Sequence, residues 1–403
     1  MRVIQINTVY EYSSTGRTTA ELHEYMSTKE IESYVFCCNK SLPEKKVFMI
    51  GNKCDYKIHS FLSHLLGLQG FFSIFSTKRL VQHLMKISPD VVHLRVLHSN
   101  FINLPLLLKY LAKNNIATVI TLHDCWFFTG HCCHFMGSNC YKWKEKCGNC
   151  PEIKTWNSSW LLDNTRHLLE QKKRLFGNIK NLTVVGVSDW VKDFIPYSIL
   201  KGARNIIRIY NWVDVNKFKP SNTGELRRYL HIEDRFVVLG IAQKWTSAKG
   251  LNDILIVARQ NSDMQFVLVG NLDSNIQLPD NVISVGVLSD VKKIIEYYSM
   301  ADAFFNPSIR ETFGKVTVEA LSCGTPVVVY NATASPELVE EGCGYVVNAN
   351  DTTAVSLKLK EIKAYGKSYY SKACRDFVVN NFSKDIIIQQ YIDLYERLQS
   401  SKE

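Results

Sequence analysis

Short apolar runs, bounded by turn residues, alternate with helix-spaced segments along the whole chain. Residues 3–6, the run SPDVVHL, 117–122 and 182–187 read as buried strands in the first half. Residues 236–242, 265–270, 282–285, 303–305 and 325–330 continue the series in the second half. Helical patterns fall between them at TTAELHEYM, 163–176, LNDILIVAR and onward from Lys315. A last helix over 384–398 places Ile387, Ile388, Tyr391, Ile392, Leu394, Tyr395 and Leu398 at helical spacing. Strands alternating with helices predict an α/β protein with parallel sheets.

The densest candidate chemistry is NPSIRETFGKVTVEALSCGTPVVVY, residues 306–330. Pro307 ends a strand because it has no N–H for a ladder, so a loop opens at the strand's C-terminal end. Gly314 lets the backbone approach a ligand, and Val316, Val318, Ala320 and Leu321 give the following helix an apolar face. Gly324 caps it, with Pro326 behind. Glu311 and Glu319 are eight residues apart and do not align on one continuous helix. With Glu311 in the loop and Glu319 about a turn into the helix, both border the crevice where open α/β sheets bind ligands. A helix start favours an anion there, and carboxylates accept from hydroxyls, which suits a sugar nucleotide. The alternative is a solvated helix carrying two surface glutamates.

Other candidates are scattered. Gly16, in SSTGR, sits where the backbone turns near a ligand, ahead of the first helix. His93, Arg95 and His98 cluster behind the second strand, and His123 with Asp124 ends the third, where acid and imidazole can orient a hydroxyl. Lys244, Lys249 and Gly250 flank a strand-to-helix turn and can clamp a diphosphate. Lys172, Lys173 and Arg174 read as a solvated helix face. Residues 61–76, broken by Gly67 and Gly70, read as a buried helix or helix pair, with a membrane-contacting surface as the alternative.

The segment TGHCCHFMGSNCYKWKEKCGNCP joins a C-x2-C pair, Cys147 and Cys150, to Cys140 and either Cys132 or Cys133, with His131 or His134 as substitutes. Four soft ligands in so short a span suggest a closed, structural zinc site. Free thiols or a pair of disulfides are the alternative.

Glu311 through Glu319, with TFG after the first glutamate and EALSCGTPVV from the second, resembles the E-x7-E element of retaining glycosyltransferases of family 4. The resemblance implies the GT-B fold: two Rossmann-like domains facing across a cleft, a C-terminal helix crossing back to the first, and a nucleotide-sugar donor between them. It implies an acceptor domain at 1–205 with a Cys-rich insertion at 125–151, a donor domain at 206–383 and a crossover helix at 384–403. Glu311 then lies near the donor sugar and Glu319 near the ribose. Gly16, Lys244, Lys249, Thr312, Phe313 and Gly314 complete the donor set, and Glu311, His123, Asp124, Lys249 and Lys244 form the catalytic one. Cys132, Cys140, Cys147 and Cys150 are the structural-zinc ligands, with no cofactor for catalysis. Three positions depart from the family pattern: Ser13 replaces a loop glycine, Arg95 a residue of an HLHNLHG-like stretch, and Lys244 an arginine, which loses a bidentate phosphate grip.

At 403 residues two domains are the prior expectation. The formal charge of +10 suggests an anionic partner: nucleic acid, an acidic membrane surface or phosphorylated substrates. A zinc-containing nucleic-acid binder would not need two full α/β domains, so nucleic acid is not the expected partner. That binder and a catalytically silent transferase-like subunit remain the alternatives. MRVIQIN is a strand pattern rather than a signal peptide, and no apolar run reaches the ~18 residues of a membrane span. The expectation is a cytoplasmic enzyme, soluble or peripheral at the inner face of an anionic membrane. Its donor would be a UDP- or GDP-sugar and its acceptor a glycan, lipid-linked in surface-polysaccharide assembly.

Overall fold

The computed structural model describes residues 1–40, 44–155 and 158–400. They divide into two compact units, Met1–Tyr210 together with the chain from Ile388, and Asn211–Ile387.

The first unit is built on seven parallel strands: β1 (Arg2–Tyr10), β2 (Glu32–Lys40), β3 (Val47–Met49), β4 (Val91–Leu94), β5 (Ala117–Leu122), β6 (Leu182–Gly186) and β7 (Asn205–Arg208). Their order is β3-β2-β1-β4-β5-β6-β7. Every residue of β4, β5 and β6 is buried, as strands covered on both faces require. Helix Leu104–Lys113 shows why the sequence covers them. Asn103 caps it by accepting from Leu106 N, Pro105 occupies its first turn, and Leu104, Leu107, Leu108 and Leu111 form the buried stripe. In the terminal helix Lys384–Ser400, Tyr391 and Tyr395 bring their hydroxyls to Thr121 and His93 inside this unit. The end of the predicted crossover helix, residues 401–403, lies outside the described residues.

The second unit has six parallel strands: β8 (Phe236–Lys244), β9 (Met264–Asn271), β10 (Val282–Gly286), β11 (Ala303–Asn306), β12 (Val327–Tyr330) and β13 (Gly344–Val347). Their order, β10-β9-β8-β11-β12-β13, repeats that of the first six strands of the other sheet. Both are doubly wound Rossmann-like sheets, with the winding reversing between β1 and β4 and between β8 and β11. Such switch points open a crevice at the strands' C-terminal ends.

Three expectations need correction. The first helix begins at Ser13, so Gly16 lies within its first turn rather than in a loop ahead of it. Lys172 is not solvated. It shares a buried face with Leu168, Leu169, Leu175 and Phe176, and its ammonium donates to the Trp126 and Thr129 carbonyls at 2.6 and 3.0 Å. Residues 61–76 do form parts of two helices, Lys53–Leu66 and Ile74–Ile87, separated at Gly67, but Phe61, Ile74 and Phe75 point outward. Among the described residues no helix is long and apolar enough to cross a membrane.

Candidate functional site

At the second unit's switch point the loops after β8 and β11 meet. Gly250 adopts φ +72° and packs against Pro307, where any Cβ would overlap the proline ring. This contact sets the turn Ser247–Lys249 beside the loop that follows Asn306, and the Lys249 ammonium donates to Glu311 Oε1 at 2.6 Å. The Glu311 carboxylate is 14% exposed and the Lys249 side chain 38%, so the pair lies at the surface of the crevice. Glu311 is also held by its backbone, its N–H bonding Thr333 Oγ1 at 3.0 Å and its carbonyl accepting from Ala334 N. Gly314, at φ +98°, is the N-cap of helix Lys315–Ser322.

Glu319 occupies that helix more than a turn in, but it is only 4% exposed, and the Tyr298 hydroxyl donates to its Oε2 at 3.0 Å. The two glutamates therefore differ: one is a loop carboxylate bound to a cation, the other a core carboxylate bound to a phenol. Phe313 is buried against Phe382 with ring centroids 5.8 Å apart, so it offers a ligand backbone only, whereas Thr312 is partly exposed. Lys244, the last residue of β8, is exposed.

In the first unit the corresponding loops carry a different chemistry. Arg95, directly after β4, is 1% exposed. Its guanidinium donates to Gln5 Oε1 on β1, to the Thr18 carbonyl and hydroxyl, and to His123 Nε2 through Nε at 3.3 Å and Nη2 at 3.1 Å. A guanidinium cannot accept, so Nε2 of His123 carries the lone pair and its proton sits on Nδ1. Gly16 lies close by in sequence to Thr18, on the helix that starts at Ser13. His98 bonds Asp124 at 2.9 Å, and Asp124 also accepts from Trp126 N at 2.8 Å. Burial would raise the Asp124 carboxyl, but His98 and the Trp126 N–H outweigh it and hold it below its ordinary range. Beneath them His93 is fully buried between Thr121 and Tyr395, and desolvation, helped by Arg95 and His123, pushes it well below the usual imidazole value.

The structure thus brings Lys249 to Glu311, and Arg95 to His123. Sequence reasoning singled out Arg95 without its role, and missed Gln5, Thr18, Tyr298 and Thr333. Gln5 and Arg95 are 90 residues apart, and nothing local marks them as partners. His98, Asp124 and Cys133 place ligand-type atoms within 4.8 Å of one another. The Asp124 oxygens already accept from His98 and from the Trp126 N–H, which accounts for this grouping as a hydrogen-bonded pair beside a buried thiol.

Residues 223–375 match the model of the family Glycosyl transferases group 1. Over 331 residues the chain is 23% identical to a colanic acid biosynthesis glycosyl transferase of Escherichia coli (strain K12), covering 77% of each protein. Its fold is similar to that of sucrose-phosphate synthase from Thermosynechococcus elongatus, with TM-score 0.72, 17% identity and 99% of both chains covered. It is also similar to Anabaena HepE in complex with UDP-glucose, with TM-score 0.69, 17% identity and coverage of 98% of this chain and 100% of that one. These two likenesses speak for the fold. The group 1 domain over residues 223–375, which lies within the second unit, and the likeness to the Escherichia coli transferase make this chain a glycosyltransferase, built on two Rossmann-like units of the GT-B type.

Proposed function

We propose that the enzyme moves a sugar from a nucleoside-diphosphate sugar to a lipid-linked glycan at an anionic membrane surface, with retention at the anomeric carbon, as a step in surface-polysaccharide assembly. The observation that carries this reading is the Lys249–Glu311 pair at the second unit's switch point. Lys249 is half-exposed on a turn locked by Gly250, where its charge can meet the donor diphosphate and stabilise it as it leaves. Lys244 adds a second cation on the same strand-to-helix connection. Glu311, tied to Lys249, acts as a positioning carboxylate for the donor sugar, which leaves attack to an acceptor hydroxyl on the face the diphosphate vacates. Gly314 and Thr312 supply close backbone approach and a hydroxyl, and Glu319, anchored by Tyr298, is the ribose-side carboxylate. In the first unit His123, oriented by Arg95, and Asp124, bonded to His98, are the groups for the acceptor side. The UDP-glucose in the HepE structure supports a UDP-sugar, or the chemically similar GDP-sugar, as donor.

The membrane half of the proposal rests on a surface. Trp160 meets Phe61 edge-on at 6.0 Å and stacks on His64 at 5.3 Å. Ile58, three residues before Phe61 on the same helix, and Leu161 and Leu162, which follow Trp160 in the chain, are exposed as well, and Lys53 and Lys57 lie on that helix. Exposed apolar side chains with lysines on the same helix fit an acidic bilayer, in keeping with the formal charge of +10.

Thermal shift against UDP- and GDP-sugars, followed by NMR of the product formed from the stabilising donor, tests the reaction. Retained anomeric configuration is expected; an inverted product, or stabilisation by none of the donors, contradicts it. Sedimentation with phosphatidylglycerol vesicles tests the surface, and the double substitution Phe61→Ser with Trp160→Ser should reduce binding about tenfold or more by removing two apolar anchors.

A further inference from the structure

The segment between β5 and the following helix Thr165–Gly177 has no strand or α-helix among its described residues, only the single turns Met136–Ser138 and Lys142–Lys144. Four of its cysteines nevertheless converge. Cys132, Cys140, Cys147 and Cys150 line one small cavity of about 10 Å³, closed on other sides by His131, Trp143, Lys142 and Gly148. All four are free thiols.

The backbone is shaped for this convergence. Gly148 and Asn149 both have positive φ, +127° and +48°, and reverse the chain so that Cys147 and Cys150 face the same space. Gly130 lets Cys147 pack close, since a Cβ at that position would collide with the Thr165 carbonyl. Cys150 N donates to Asp163 at 2.7 Å, which ties the knuckle to the start of the next helix.

The other candidates drop out on place or contacts, His134 because it does not line the cavity. His131 has both ring nitrogens engaged, Nδ1 with Gln69 and Nε2 with the Thr155 carbonyl. Cys133 turns the other way, towards His98 and Asp124. What remains is an all-sulfur set, and thiolates are the soft ligands that select zinc over magnesium or calcium.

We infer that Cys132, Cys140, Cys147 and Cys150 bind one zinc ion as a tetrahedral four-thiolate site that holds this segment in place. Binding replaces four S–H protons, released to solvent, by four zinc–sulfur bonds, with no change of oxidation state. The resulting doubly negative centre is faced by the Lys142 ammonium, which donates to the Gly148 and Asn149 carbonyls at 3.1 and 2.9 Å. No three of the four sulfurs lie within 4.8 Å of one another, against ~3.8 Å for the edge of a tetrahedron with zinc–sulfur bonds of ~2.3 Å. Occupancy therefore draws the segment inward, and metal binding becomes folding energy for a stretch with no ladder of its own. Trp143, buried against Phe128 and Phe135, carries that order to the body of the first unit.

Metal analysis of full-length protein purified without chelator tests this, and it reads neither donor binding nor turnover. About one zinc per chain is expected, retained in Cys54→Ser, whose thiol is exposed and elsewhere, and lost in Cys147→Ser with Cys150→Ser. Should the double variant not fold, cobalt exchanged into the wild type should give a thiolate charge-transfer band with tetrahedral d–d intensity. Wild-type protein that neither contains nor takes up zinc overturns the site. So does zinc that stays in a folded double variant, or mass spectrometry finding these cysteines paired as disulfides.

Discussion

The two switch points share a topology and differ in how they hold charge. In the first unit Arg95 is buried and spends its donors on Gln5, Thr18 and His123, so the imidazole is oriented before any ligand arrives. In the second unit Lys249 is half-exposed and its partner Glu311 is a loop residue, so the cation stays accessible to an anion from solvent. The same strand order therefore supports a rigid network at one sheet and an open ion pair at the other. The lesson is that topology fixes where a site lies, while burial decides whether its charges serve the fold or a ligand.

Acid should separate the two units most strongly. Ten of the eleven histidines lie before Tyr210, and His231 alone lies in the second unit. Burial depresses His59 to about 3 and His93 well below the ordinary value. Below pH ~6.5 the unfolded chain binds protons that the folded unit refuses, so stability is full above that pH and falls as pH drops towards the folded values. Between pH 7 and pH 5 His59 should cost roughly 2 kcal/mol, and His93 acts in the same direction. Hydrogen exchange, corrected for intrinsic rates, should lose protection over this range in first-unit core peptides and much less in second-unit ones. Equal losses in both would remove this contrast.

Arg95→Ala comes next, with an expected loss of about 3 kcal/mol or more, because it strips buried acceptors on Gln5, Thr18 and His123 of a charged donor. Denaturant unfolding measures it. Arg95→Lys should recover little, since one ammonium cannot reproduce the fork. A wild-type midpoint in Arg95→Ala would mean that the network is dispensable.

The strand pattern of much of this was legible in the chain. The expected strand 117–122 coincides with β5, because a fully buried β-branched run leaves one reading. β2, β3 and β7 were not anticipated: β3 and β7 are short strands of three and four residues with partly exposed side chains, and the nine-residue β2 is bordered by exposed polar positions. Lys172 was misjudged by counting charges: its positions relative to Leu168 and Leu175, four back and three on, already put it on the apolar face. The outward-facing Phe61 and Phe75 could not be foreseen from hydrophobicity, which says what prefers burial but not what the fold covers. For the candidate site, the loop and helix around Glu311 and Glu319 were readable from Pro307 and Gly314. The burial of Glu319 was not, since it depends on Tyr298 from a separate helix.

The glutamates give a smaller test of the same contrast. Glu311→Ala should lower turnover several-fold more than donor affinity, as the positioning role proposed for the loop carboxylate requires. Glu319→Ala should weaken donor affinity by about 1–2 kcal/mol and also lower the melting temperature, since the Tyr298 hydroxyl loses its acceptor. Calorimetric donor titration and initial rates distinguish them, and indistinguishable behaviour of the two variants would contradict the difference in burial.

The most direct test of the account is donor affinity and initial rate for Lys249→Ala, Lys244→Ala and Lys244→Arg at one fixed ionic strength. On the proposed role of these lysines as donors to the diphosphate, removing either should weaken binding about tenfold or more, and turnover further, because negative charge grows on the leaving phosphate. Lys244→Arg should be tolerated, its fork gripping two phosphate oxygens. Wild-type affinity and rate in both alanine variants would show that these lysines are surface charges and that the donor phosphates are held elsewhere.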